Sequence, residues 1–112
     1  MEFRAKRIYD EPSADDGVRV LVDRLWPRGV SKDKAAIDVW LKDVTPSTGL
    51  RTWYHAHPEE FADFDERYRT ELETQPEAME QLRTAGAVVT LLTARKELEH
   101  SHITVLIDLL KP

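Results

Sequence analysis

The chain of 112 residues contains no cysteine, which excludes a disulfide framework, a thiol nucleophile and a thiolate metal site. Glycine is scarce, with four in all, and none forms the Gly-rich turn that cradles phosphates in Walker- or Rossmann-type sites. There is no G-x-S-x-G elbow, so acyl-enzyme chemistry has no support. No apolar run approaches the roughly 20 residues needed to cross a bilayer. The opening Met1-Glu2-Phe3-Arg4-Ala5-Lys6-Arg7 is charged where a signal peptide turns apolar. The expected location is therefore the cytoplasm, with no membrane partner. A basic surplus is also missing. The formal net charge of −5 argues against nucleic acid as the main partner. With no repeat, low-complexity segment or linker to divide it, residues 1–112 are expected to form one domain that buries a core without staples.

What is present alternates strands with helices. Arg7-Ile8-Tyr9-Asp10 reads as the end of a first strand, followed by the polar loop Glu11 to Gly17. Val18 to Asp23 is rich in β-branched residues and apolar on both faces, as a buried strand requires. Ser31 caps a short helix through Ala36, and Ile37 to Leu41 alternates like an edge strand. Ser47 or Thr48 caps a helix to about Ala56, with Leu50, Trp53 and Tyr54 inward. Pro58 marks the first turn of the next helix, on which Phe61, Phe64, Tyr68 and Leu72 recur at helical spacing. The carboxylates Glu59, Glu60, Asp63, Asp65 and Glu66 are its solvated face. Pro76 opens a further helix that Gly86 stops. Ala87 to Thr93 is the clearest buried strand, and Leu98 to Leu110 the closing helix. This order predicts an α/β fold: a small, largely parallel sheet flanked by helices in a single layered domain.

Asp23-Arg24-Leu25-Trp26-Pro27-Arg28-Gly29 is the most informative block. It places two arginines and a tryptophan where a strand ends, which is where α/β sheets hold ligands. A guanidinium pairs bidentately with carboxylate or phosphate and stacks on rings. If Val18–Asp23 and Ala87–Thr93 run parallel, Arg24, Trp26 and Arg28 share one rim with Arg95 and Lys96. Against this stands a structural reading, in which the arginines pair with Asp23, Asp43 or a helix terminus and Trp26 caps the core.

Lys42, Ser47 and Arg51 form a second polar group, with Ser47 at a helix N-terminus whose free amides attract anions. Lys96, beyond the best strand, is a candidate base or nucleophile. His100 and His102 stand where the last helix begins, suited to capping or acid–base work. His55-Ala56-His57 and His100-Ser101-His102 each place two histidines on different sides of a helix, so a metal would need one from each pair.

Three of these blocks carry a family resemblance. The Asp23–Gly29 block, Trp40-Leu41-Lys42-Asp43 with Pro46-Ser47, and Leu91-Leu92 leading to His100 and His102 resemble the DUF488 family, in its branch of YeaO-like proteins. The resemblance covers essentially the whole chain and implies a small cytosolic α/β protein, but no reaction. Where the family commonly has a tyrosine, small residues and a Lys-Asp pair before His-Asn-His, this chain has Thr93-Ala94-Arg95, Lys96-Glu97 and His100-Ser101-His102. Nothing in it suggests the helix-turn-helix of a transcriptional regulator.

The expected function is binding of an anionic small molecule, phosphorylated or carboxylated. Arg24, Trp26, Arg28, Lys42, Ser47 and Arg95 are the candidate ligand-binding residues. His100 or Lys96 would be the proton carrier if there is catalysis. The sequence leaves the cofactor unknown. The alternatives are a non-catalytic interaction or regulatory module touching nucleic acid through the arginine rim, and a metal- or haem-binding protein using the histidines. Aromatics on the middle helices are candidates for a homo-oligomer surface.

Overall fold

Four strands build one parallel sheet, in the order β1 (Glu2–Arg7), β4 (Val88–Thr93), β2 (Val18–Leu21), β3 (Val39–Trp40), with the central β4 apolar on both faces. The structure, a computed structural model, describes residues 2–111. Arg4 pairs with Thr90 across β1 and β4, Val20 with Leu91 across β2 and β4, and Leu21 with Trp40 across β2 and β3. The expected parallel pairing of the second strand with Ala87–Thr93 is therefore present. All four carboxyl ends lie on one edge.

Both faces of the sheet are covered. The first buries Val20, Val22, Val89 and Leu91 against α2 (Thr48–Ala56), α3 (Phe61–Leu72), α4 (Pro76–Arg83) and α5 (His102–Leu110). The second buries Ile8, Leu21 and Leu92 against Ala35 of α1 (Lys32–Ala35) and the partly buried Trp26, Val30 and Trp40. Among the described residues, no helix is long and apolar enough to cross a membrane.

Ser31 caps α1 by accepting from the Lys34 N–H at 3.2 Å, and Ser47 caps α2 by accepting from the Leu50 N–H at 3.1 Å. Several expected boundaries move. The first strand ends at Arg7, where the Asp10 N–H closes a turn on the Arg7 carbonyl at 3.0 Å. Pro58 does not start α3. It occupies the second position of a turn closed by the Glu60 N–H on the His57 carbonyl at 3.0 Å, where its fixed φ is equally suited. The helix after Pro76 ends at Arg83 rather than at Gly86. Gly86 serves instead for close packing, since a Cβ there would lie 2.9 Å from Val18 Cγ2. The closing helix begins at His102, not Leu98, because the Ser101 side chain takes the Ile103 N–H and stops the helix from extending backwards.

The polar loop before β2 holds an unexpected buried ion pair. Asp16 and Arg19 are each 3% exposed and joined through Asp16 Oδ2 and Arg19 Nη1. Lys6 Nζ adds a second cation at 3.1 Å from Asp16, and the Ser13 N–H donates to the same carboxylate at 3.0 Å. The Arg19 Nε and Nη2 donate to the Ala35 carbonyl, at 3.1 and 2.9 Å. Thr90 Oγ1 donates to the Asp16 carbonyl at 2.7 Å, tying the loop to the central strand. Gly17 follows at φ 64°, with no room for a Cβ beside the Val88 carbonyl.

Burial pushes the Asp16 carboxyl up, but the Ser13 N–H, Lys6 and Arg19 hold it net below its ordinary value. Asp23 behaves the same way, its burial outweighed by His102, the Ala94 N–H and Thr93. A carboxylate depressed in the folded state contributes fully above its unfolded value, about pH 4, and that contribution drains as the pH falls toward the folded value. Urea unfolding from pH 7 to pH 2.5 should therefore show flat stability down to about pH 4.5 and a steep decline below it. A stability unchanged between pH 4.5 and pH 2.5 would contradict this.

Candidate functional site

The chain leaves β2 and β4 in opposite directions. From β2 it passes to α1 on the second face, and from β4 to α5 on the first. Such divergence opens a crevice at the carboxyl ends of neighbouring parallel strands. Here it measures about 680 Å³ and is walled by the loop after β2, the start of the loop after β4, one side of α2 and the first residue of α5.

Asp23 fastens the floor. Its Oδ1 accepts from Thr93 Oγ1 at 2.7 Å and its Oδ2 from the Ala94 N–H at 2.8 Å. Its carbonyl accepts from Trp40 Nε1 at 2.7 Å. The His102 Nε2 donates to the Val22 carbonyl at 2.7 Å and lies 3.4 Å from Asp23 Oδ1. A carbonyl only accepts, so Nε2 carries the proton. One residue thus joins β2, β3, β4 and α5.

The walls are cationic. Arg24 comes from the loop after β2 and donates from Nη2 to the Pro46 carbonyl at 3.2 Å. Arg95 comes from the loop after β4, with its guanidinium carbon 5.6 Å from the centre of the Tyr54 ring. Arg51 comes from α2, where Thr48, Arg51, Thr52 and His55 line the crevice together. That spacing is one stripe of a helix, with Leu50 buried on the other side and Tyr54 buried at its border. Among the described residues, none of the three arginines has a carboxylate within ion-pair distance, although other pairs form elsewhere. The apolar part of the lining is Val22, Leu25, Trp26, Pro27, Tyr54 and Phe64. Trp26 is fixed by donating from Nε1 to the Val30 carbonyl at 2.8 Å and by an edge contact with Trp40 at 5.3 Å.

Of the residues singled out from sequence, Arg24, Trp26 and Arg95 line this crevice. Arg51, His55 and His102, also noted in the sequence, line it too, whereas Arg28, Lys42, Ser47, Lys96 and His100 fall outside it. Arg28 is exposed, with its carbonyl taken by the Tyr9 hydroxyl at 3.4 Å. Lys42 is exposed with its ammonium 4.0 Å from the Trp40 ring centre. Ser47 is occupied by Glu71, which accepts from its N–H at 2.8 Å and its hydroxyl at 2.6 Å. Lys96 is exposed, and so is His100, whose Nδ1 is 3.1 Å from Glu97 Oε1. His57 stacks on Trp53 at 4.9 Å, and although His55 and His102 both line the crevice, no three His, Asp or Glu side chains among the described residues gather into a metal-holding group.

A family model described as "Inactive DUF488-N3 subclade" matches residues 2–112. The chain belongs to the DUF488-N3 subclade. Similar DUF488 relatives include the "Uncharacterized protein YeaO" of Escherichia coli K12, 40% identical over 99% of this chain and 98% of that protein. The "Uncharacterized protein Rv3073c" of Mycobacterium tuberculosis H37Rv is 47% identical over 96% of this chain and 92% of its own length. The "Uncharacterized protein Mb3100c" of Mycobacterium bovis matches to the same extent. No solved structure matches the chain. The DUF488 block Asp23–Gly29 thus contributes the clamp Asp23, the cation Arg24 and the wall residue Trp26.

The stripe on α2 is what the sequence reading missed. Sequence alone groups Arg51 with Lys42 and Ser47 and pairs His55 with His57, and it gives Thr52 no role. The signal lies in the sequence, as polar residues at positions 48, 51, 52 and 55 opposite Leu50 and Tyr54. A polar helix face ordinarily meets water; this one is exposed as well, and it lines the crevice.

Proposed function

We propose that the crevice captures a small anionic ligand and holds it without altering it chemically. One observation carries the reading: three arginines from three separate elements line a single crevice, without a carboxylate in ion-pair distance among the described residues, in a chain of net charge −5. Unpaired arginines in a concave site with an apolar floor are an anion receptor.

Binding without chemistry is supported by the acid–base groups: His55 lines the crevice but, among the described residues, has no carboxylate within ion-pair distance to orient its ring. Both Asp23 oxygens accept internal bonds, and His102 Nε2 is committed to Val22 and Asp23. Lys96 and His100 lie outside the lining. The description "inactive" attached to the subclade supports the same conclusion.

Thermal denaturation with 10 mM inorganic phosphate tests the reading. A Kd of about 1 mM would stabilise by about 1.4 kcal/mol, a rise of roughly 5 °C for a domain of this size. The rise should disappear in the Arg51→Gln, Arg95→Gln double variant and persist in Arg28→Gln, outside the lining. Equal rises in all three proteins would mean general salt stabilisation and defeat the proposal, as would no rise in any.

A further inference from the structure

The lining is more specific than a general anion receptor needs. Three arginines against one aspartate leave two unmatched positive charges, and that aspartate is satisfied internally. A carboxylate brings one charge and two coplanar oxygens, both of which a single guanidinium fork can engage. A phosphate monoester brings up to two charges and three terminal oxygens, set tetrahedrally. Arg24, Arg51 and Arg95 approach from the loop after β2, from α2 and from the loop after β4, an arrangement that suits three oxygens pointing three ways.

The space is also larger than an inorganic ion fills. A water molecule takes about 30 Å³ of liquid, whereas the crevice offers about 680 Å³, within the range of small-molecule sites. Beside the arginines and the polar Thr48, Thr52 and His55, the lining carries an apolar, partly aromatic portion: Trp26, Pro27, Tyr54 and Phe64. The Trp26 ring is held in place by its bond to Val30 and its contact with Trp40, so it offers a fixed wall rather than a mobile flap.

We infer that the crevice selects a phosphate monoester on an apolar, ring-sized body, with the dianionic phosphate on the three arginines and the body against Trp26, Tyr54 and Phe64. This rests on the anion-receptor reading and narrows it. Phenyl phosphate and phenyl sulfate separate the two, because they share shape and apolar body but differ by one charge at neutral pH. Inorganic phosphate and benzoate complete the set.

In calorimetric titration of the full chain at pH 7.5, phenyl phosphate should bind about tenfold tighter than phenyl sulfate, the second charge meeting the second unmatched guanidinium. At pH 5 the phosphate regains its second proton, whose pKa is about 6, and the ratio should fall toward one. Phenyl sulfate remains a monoanion throughout, so its own trend reports the protein groups facing the site, His55, His102 and Asp23. The Arg51→Gln, Arg95→Gln double variant, checked for an unchanged melting profile without ligand, should lose the preference at pH 7.5. Phenyl phosphate should also bind tighter than inorganic phosphate and than benzoate.

Equal binding of phenyl phosphate and phenyl sulfate at pH 7.5 would overturn the dianion selection while leaving the receptor reading intact. Phenyl phosphate binding no tighter than inorganic phosphate would overturn the apolar body, and benzoate binding as tightly as phenyl phosphate would overturn the choice of phosphate. Binding of none of the four would overturn both proposals together.

Discussion

Replacing Asp16 with alanine is expected to cost about 3–5 kcal/mol, the range for breaking one side of a buried ion pair. The substitution leaves the Arg19 guanidinium 3% exposed with its charge unmatched, and it orphans the Ser13 N–H and weakens the hold on Lys6. A loss of that size is a large share of the 5–15 kcal/mol that typical domains possess. Equilibrium urea denaturation of Asp16→Ala, with an unchanged m-value, is the measurement. A second substitution, Arg19→Met, should recover part of the loss, because it removes the buried charge that the first one strands. A loss under 1 kcal/mol for Asp16→Ala, or no recovery in the double variant, would show that the pair is not energetically buried.

Asp23→Ala comes next, at about 2–4 kcal/mol, since hydrogen bonds to a charged group contribute about 1.5–3 kcal/mol net and a buried donor left unpaired costs more. Thr93 Oγ1 and the Ala94 N–H both lose their acceptor. His102 keeps the Val22 carbonyl but loses the neighbouring carboxylate. The variant should also blunt the acid decline described above, because a depressed carboxyl has been removed. Asp23→Asn separates geometry from charge. Its amide oxygen can take one of the two donated bonds, but its NH2 group turns a donor toward the other, so it should recover only part of the loss. Melting temperatures and pH-dependent urea curves of both variants are decisive: wild-type stability in Asp23→Ala would remove the residue from its role as fastener.

The parallel arrangement of β2 and β4 was legible because each is a short apolar run and the span between them is long and helical. Given that, the meeting of Arg24, Trp26 and Arg95 followed from the parallel geometry alone. What stayed hidden depended on three-dimensional partners. Asp16 reads as one more loop carboxylate, and only the fold shows it buried beneath Lys6 and Arg19. Asp23 looked like a salt-bridge partner for the arginines beside it, yet its bonds go across the sheet to Thr93 and Ala94. Ser47 looked like an anion site because its helix-terminal position is visible in sequence, whereas Glu71, 24 residues away, already fills it. Lys96 and His100 differ from Arg95 and His102 mainly in which way a loop turns, and no periodicity encodes that.

The order β1-β4-β2-β3 also has a consequence for how the molecule is made. The two earliest strands never touch each other as ladder partners; both wait for β4, whose residues lie more than 65 positions further along the chain. Until that last strand leaves the ribosome, Glu2–Arg7 and Val18–Leu21 each present an open edge with no native neighbour between them. Contacts this distant in sequence make folding slow, and unpaired edges invite association. Newly synthesised chains should therefore be most exposed to chaperones just before Val88–Thr93 slides into the centre of the sheet.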